Sequence, residues 1–130
     1  MHLSAQLDQW LAQAFLNDSP TEIAGYSFNL FENANDANSK FGVELIGASR
    51  FDQDDTDWAC DETWSASPRR LALPISISGE HWEHCLAVVE NAINQLLMTN
   101  TSAVSIPKSS QAIAVGFVDG DLNVIWRPKP

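Results

Sequence analysis

The chain contains 130 residues, of which 17 are acidic and 7 are basic, and its formal charge is −10. This length predicts one domain spanning residues 1–130, and the 45% share of hydrophobic residues excludes general disorder. The excess of acid makes nucleic acid and anionic membranes poor partners, and the apolar runs are far shorter than the roughly 18 residues of a transmembrane helix.

The first segment of the chain predicts an amphipathic helix. Apolar residues recur at spacings of three and four from Leu3 to Ala14, which places them on one helical face. Three turn-forming residues and a proline at positions 17–20 are typical of a helix end, because proline has no backbone donor. The sequence therefore predicts a helix over residues 3–16.

Two alternating runs follow the helix, and together they predict an antiparallel hairpin. The first run begins at Gly25, and the second extends from Phe41 to about Ser49. In both runs apolar side chains occupy every second position, which is the pattern of a half-buried strand. The stretch between them, residues 32–39, is polar and rich in asparagine, which favours a loop.

The middle of the chain predicts a third strand and a long helix. Apolar residues alternate from Leu71 to Ile77, and Pro74 favours an edge position or a bulge because it cannot donate to the ladder. A helix is predicted over residues 79–98, with Ser78 as its cap and acidic residues in its first turn. Its apolar stripe comprises Trp82, Cys85, Leu86, Val89, Ile93, Leu96 and Leu97.

The C-terminal part predicts a second hairpin. Apolar residues alternate over 113–117 and 122–126, and the Asp119-Gly120 pair between them is typical of a tight turn with positive φ at both central residues. The predicted fold class is α+β, with an antiparallel sheet of about five strands and two amphipathic helices packed on one face, in the order α-β-β-β-α-β-β. A homodimer could form through the other sheet face, where Ile46 and Ile125 are expected among polar residues.

No catalytic residue, metal site or cofactor is predicted. The sequence contains no G-x-S-x-G nucleophile motif and no glycine-rich phosphate loop. His81 and His84 share a helical face next to Cys85, but no second ligand pair with zinc spacing accompanies them. Two surface histidines are the commoner meaning of such a pair.

The two cysteines favour a cytoplasmic location. Cys60 and Cys85 are too few for a disulfide framework, and residues 1–4 show no secretion signal. Cys85 lies on the apolar stripe, where a free cysteine behaves as a small hydrophobic residue, and acidic neighbours disfavour the thiolate of Cys60. Neither cysteine is expected to act as a nucleophile.

Residues 52–64, called the acidic segment below, carry the strongest functional signal because they combine six carboxylates with two tryptophans. A calcium loop starting at Asp52 would need glycine and glutamate where Asp57 and Thr63 stand, so no specific calcium site is predicted. The tryptophans are either core residues or anchors of a protein interface, in which the carboxylates would speed encounter with a basic partner. The predicted partner-binding residues are Asp52, Asp54, Asp55, Asp57, Trp58, Asp61, Glu62 and Trp64.

Three stretches resemble small acidic immunity proteins of bacterial polymorphic toxin systems. They are ELIGASRFD at residues 44–52, DDTDWACDE at 54–62 and VGFVDGDL at 115–122. The resemblance implies a non-catalytic protein that binds and blocks a cognate toxin, so the expected partner is a basic toxin domain.

A second resemblance is to chaperones of type III secretion effectors. Those proteins are similar in being small, acidic and commonly dimeric, with the same order of helices and strands, but they usually add a third helix after the last hairpin. An effector chaperone is therefore the alternative function. A small enzyme or metal-binding domain ranks third.

Overall fold

A computed structural model describes residues 2–33 and 38–128 of the chain and has the α+β architecture that the sequence predicts. Residues 34–37, within the predicted Asn-rich loop, lie outside the described residues, as do residues 1, 129 and 130. The helices are α1 (Leu3–Asn17), α2 (Ile75–Ser78), α3 (Trp82–Leu97) and α4 (Ser102–Ser105), with short 3-10 helices at Thr56–Cys60 and Pro107–Ser109. The strands are β1 (Gly25–Glu32), β2 (Phe41–Ala48), β3 (Glu62–Leu73), β4 (Ala112–Phe117) and β5 (Asn123–Trp126).

The five strands form one open sheet in the order β3-β2-β1-β4-β5. The predicted hairpins β1–β2 and β4–β5 are antiparallel, and β2–β3 is antiparallel as well. The central pair differs from the prediction, because β4 runs parallel to β1, with Gly25 opposite Ala112 and Leu30 opposite Phe117. Strands β1 and β3 run in the same direction, because each pairs antiparallel with β2. For β4 to run parallel to them, the chain must cross over between β3 and β4, and the segment containing α3 makes this crossover.

Helices α1 and α3 pack against each other on one face of the sheet, as predicted. The main core lies between them and the strands, and side chains such as Leu7, Leu11 and Ile93 are at most 1% exposed. Burying an aliphatic side chain of this size contributes about 1.5–3 kcal/mol to stability. Among the described residues, none of the helices combines the length and the apolarity that a bilayer crossing requires.

The third strand and the second helix have different bounds from the predicted ones. Strand β3 already begins at Glu62, within the acidic segment, and ends at Leu73. The alternating residues beyond Pro74 form the short helix α2, because proline ends the ladder and its φ of −58° suits a helix start. Gly79 then adopts a φ of 73°, so α3 begins only at Trp82.

The predicted cap of the long helix is also wrong. The hydroxyl of Ser78 donates to the carbonyl of Gly79 at 2.9 Å instead of capping α3. His81 occupies the N-cap position without a side-chain hydrogen bond, and Glu83 is the acidic residue of the first turn. Helix α4 was not predicted, because its four residues are too few to show a periodic pattern.

The last hairpin is antiparallel as predicted, but its turn is longer than the Asp-Gly pair indicates. Residues 118–122 connect β4 to β5, and the N–H of Gly120 donates to the carbonyl of Phe117 at 3.0 Å. Among the described residues, Glu22 and Gly79 are the positions with positive φ, so the expected left-handed conformation at Asp119 and Gly120 is wrong.

The sheet face opposite the helices is partly covered by the chain itself. Ile46 is 1% exposed in a second hydrophobic cluster with Ala48, Trp58 and Ala114. Ile125 packs against the main core instead. These two residues therefore do not offer the free apolar face on which the homodimer prediction was based, and the dimer itself stays a prediction.

Candidate functional site

The acidic segment begins in a closed loop between β2 and β3. The N–H of Ser49 donates to the carbonyl of Asp61 at 3.2 Å and joins the two ends of the loop. Inside the loop, Asp52 accepts a bond of 2.9 Å from the N–H of Asp54, and Asp55 accepts one of 3.0 Å from the N–H of Asp57. Aspartate is common in such turns because its carboxylate can satisfy a nearby backbone donor.

Trp58 fixes this loop to the sheet. Its side chain is 1% exposed and lies in the second hydrophobic cluster, with the ring of Phe51 edge-on at 5.1 Å. The indole approaches Gly25 so closely that a Cβ atom there would lie 2.7 Å from Cζ3 of Trp58. Trp58 is therefore a core residue, and it is not exposed as an interface anchor.

Trp64 is buried on the other face of the sheet. Its ring stacks on Phe15 at a centroid distance of 5.3 Å and meets Tyr26 edge-on at 6.0 Å. The indole N–H donates to the carbonyl of Asp18 at 2.8 Å, so the polar atom of this buried ring is satisfied. For both tryptophans of the acidic segment the structure selects the core alternative over the anchor alternative.

The six carboxylates of the acidic segment are all exposed, but they are not equally free. Asp55 and Asp61 form ion pairs with Arg50, and Glu62 pairs with Arg69 through two bonds of 2.8 and 2.9 Å. The Arg69 hydrogen bonds hold the pKa of Glu62 below its usual value. Three carboxylates make no ion pair with any residue that the structure describes: Asp52, Asp54 and Asp57.

A third arginine comes from the C-terminal end of the chain. The guanidinium of Arg127 lies 4.8 Å from the centroid of the Phe51 ring and donates to Oε1 of Gln53 at 2.7 Å. Together with Arg50 and Arg69 it offsets about half of the six negative charges. The negative potential of the segment therefore centres on the three unpaired aspartates.

A buried carboxylate lies next to this surface. Glu44 is 8% exposed in the middle of β2, and its Oε2 accepts from Nε of Arg69 at 3.2 Å. Arg70 approaches the same oxygen at 3.5 Å. Two guanidinium groups thus compensate for the burial of one charge, as a buried carboxylate requires.

The histidine–cysteine motif does not form a metal centre in the structure. His81 and His84 are exposed at the start of α3, whereas Cys85 is fully buried in the main core. Among residues 2–33 and 38–128, no three histidine, cysteine, aspartate or glutamate side chains are arranged to hold a metal ion.

The two cysteines should differ strongly in thiol reactivity. Burial raises the pKa of Cys85 to about 11, whereas Cys60 is exposed on the acidic segment. In the native protein we expect Ellman's reagent to modify Cys60 at once and Cys85 at least about a thousandfold more slowly, since its modification requires opening of the core. The Cys60→Ser variant should lose the fast phase. Equal rates for both thiols would contradict the burial of Cys85.

A second surface site lies where β1 and β4 end. A groove of about 550 Å³ is lined by the aromatic residues Phe31, Trp82 and Phe117 and by Val118, with Glu32, Asp119 and Gly120 completing it. The sequence assigned Trp82 to the buried stripe of the long helix, but its side chain is 55% exposed. Its position as the first residue of α3, in place of the fourth, accounts for the difference.

Two carboxylates lie at the edge of this groove. Glu32 and Asp119 are exposed and form no ion pair within the described part of the chain. The ring of Trp82 meets Phe117 edge-on at 6.0 Å, and Phe117 meets Phe41 in the same way at 5.6 Å, which connects the groove to the main core. The sequence offered no signal that these residues form one site, because they come from three stretches that lie far apart along the chain.

Comparisons of the chain with protein-family models, with curated proteins and with solved structures yield no match. The resemblance to immunity proteins therefore stays a prediction that depends on three short stretches of sequence.

Proposed function

We propose that this protein binds a basic protein partner through the acidic segment and performs no catalysis. The partner is a toxin that the protein neutralises, as immunity proteins of bacterial toxin systems do. The observation that carries the proposal is the set of three exposed, unpaired carboxylates, Asp52, Asp54 and Asp57, on a loop that Trp58 fixes to the sheet.

The fixed loop favours binding in two ways. Carboxylates that protrude together attract a basic surface over long distances and can raise the association rate 10- to 1000-fold, depending on salt. Because Trp58 and the bond between Ser49 and Asp61 already order the loop, little conformational entropy is lost when a partner binds. Trp58 thus contributes to the site as a support, and the contacts come from the aspartates.

The Asp54→Asn/Asp57→Asn double variant should bind the partner more slowly. Neither carboxylate makes a side-chain hydrogen bond or ion pair with a described residue, so the exchange removes charge and leaves the fold intact. We expect the association rate at low salt to fall about tenfold and its salt dependence to weaken, with a smaller change in the dissociation rate. Stopped-flow or surface plasmon resonance measurements at two salt concentrations test this expectation.

The matched control is Asp8→Asn/Glu90→Gln. It changes the net charge by the same amount, but Asp8 and Glu90 lie on α1 and α3, which cover the sheet face opposite Trp58. Each new amide keeps an oxygen that can accept the existing hydrogen bond from Thr101 or Asn123. If both double variants slow association equally, overall charge rather than the acidic segment governs binding, and the proposed site is wrong.

The toxin part of the proposal is tested in cells. The product of each gene that neighbours this one is expressed with and without the protein, and viable colonies are counted. We expect rescue by the native chain and reduced rescue by the Asp54→Asn/Asp57→Asn variant. A stable dimer that holds an extended effector segment, measured by sedimentation, would favour the chaperone alternative instead.

A further inference from the structure

We infer that the groove at the ends of β1 and β4 is a docking site for a partner segment in which a large apolar side chain is flanked by lysine or arginine. The inference does not depend on the acidic segment. Trp58 covers Gly25, the first residue of β1, whereas the groove lies beyond Glu32, its last residue. Strand β1 has 8 residues, so the two sites are about 23 Å apart.

The groove has the shape and composition of a binding pocket. Its volume of about 550 Å³ falls in the range of ligand pockets and is ample for one aromatic or long aliphatic side chain. Trp82 keeps 55% of its surface in solvent, and the neighbouring Val118 is also 55% exposed. Exposed large apolar residues that are grouped in a concavity are typical of interaction sites, and tryptophan is frequent among residues that dominate binding.

The walls of the groove are held in place before any partner arrives. The N–H of Val118 donates to the carbonyl of Leu30 at 2.9 Å, which continues the parallel ladder past the end of β4. Phe117 is fixed between Trp82 and Phe41 by edge-on ring contacts. A preformed pocket on strand ends requires little ordering upon binding, which favours affinity.

Charge determines the kind of partner that fits. Glu32 and Asp119 line the groove, are exposed, and lack an ion pair within the part of the chain that the structure describes. The guanidinium of Arg70 lies 4.9 Å from the centroid of the Phe31 ring, so one of the lining rings already makes an internal cation–π contact. Basic residues on either side of the inserted side chain would meet both carboxylates. A second copy of this chain is a poor occupant, because its charge of −10 repels the same surface.

The experiment is an NMR titration of the ¹⁵N-labelled protein with three capped peptides. They are Lys-Lys-Phe-Lys-Lys, Glu-Glu-Phe-Glu-Glu and Lys-Lys-Ser-Lys-Lys. With the first peptide we expect saturable shifts of the Trp82 indole N–H and of the amides of residues 118–120, and at least about tenfold weaker binding of the other two. Equal binding of both basic peptides, or shifts confined to other surfaces, would overturn the inference.

Variants identify the groove as the site. Trp82→Ala and Val118→Lys should each weaken binding of the first peptide at least about tenfold, the second because it replaces apolar surface by a charge that repels the peptide. Leu16→Ala, which changes an apolar residue 82% exposed on α1, should leave binding unchanged. The Asp54→Asn/Asp57→Asn variant should also bind the peptide normally, which separates this inference from the proposed function. If the native protein dimerises with increasing concentration and Trp82→Ala abolishes the dimer, the groove mediates self-association and the inferred partner segment is wrong.

Discussion

Replacing Trp58 by alanine should lower the free energy of unfolding by about 3–5 kcal/mol, the range found when a buried aromatic residue is truncated. Trp58 is the largest side chain in the second hydrophobic cluster, and at 1% exposure its removal leaves a cavity between the loop and the sheet. Denaturant unfolding followed by far-UV circular dichroism measures the change, with the slope of the transition compared between variants.

Two further variants make this prediction specific. Asp57→Asn changes the adjacent, exposed residue and should alter stability by no more than about 0.5 kcal/mol. Trp58→Phe keeps part of the ring packing and should fall between native protein and Trp58→Ala. If Trp58→Ala is as stable as the native protein but loses its partner, Trp58 is an interface anchor and the buried position described above is wrong.

Replacing Gly116 by alanine should destabilise the protein by about 1–3 kcal/mol through overpacking. An added Cβ would overlap the carbonyl oxygen of Asp121 and lie 3.0 Å from Cα of Leu122. Both are backbone atoms that cannot rotate away, so residues 118–122 would have to shift. Because Val118 and Asp119 line the aromatic groove, the NMR signals of the groove should shift with them.

Gly120 provides the matched control for this change. A Cβ atom at Gly120 would be 3.7 Å from Cβ of Phe117, an ordinary contact, and the residue does not have positive φ. Gly120→Ala should therefore be neutral or stabilise the protein by about 0.4–1 kcal/mol, because alanine restricts the unfolded chain. If Gly120→Ala proves the more destabilising of the two, the left-handed Asp-Gly turn expected from the sequence is correct and the longer turn is not.

The elements whose patterns are local could be predicted from the sequence. Helix α1 and strands β1 and β2 follow directly from apolar spacing, and their observed bounds agree with the predicted ones within about a residue. The start of α3 could not be placed, because Gly79 takes a φ of 73° and delays the helix by one turn. That shift places Trp82 at the surface of the groove.

Interactions between distant segments account for the remaining differences. Acidic neighbours indicate an exposed loop around Trp58, yet the indole is buried because the sheet has a second apolar face that only the assembled strands create. The same limit applies to the parallel pairing of β1 with β4 and to the groove at their ends. The exposed positions of the six carboxylates follow from their charge, but which of them pair with arginine depends on tertiary structure.

The parallel pairing of β1 with β4 has a consequence for how the chain folds. Residues 25–30 pair with residues 112–117, so the centre of the sheet can close only after residues 112–117 have been synthesised. Closing such a long loop is entropically costly, and contacts between sequence-distant segments slow folding. Until then one edge of β1 has unsatisfied backbone groups that can pair with other chains, which exposes the nascent protein to aggregation before β4 pairs with β1.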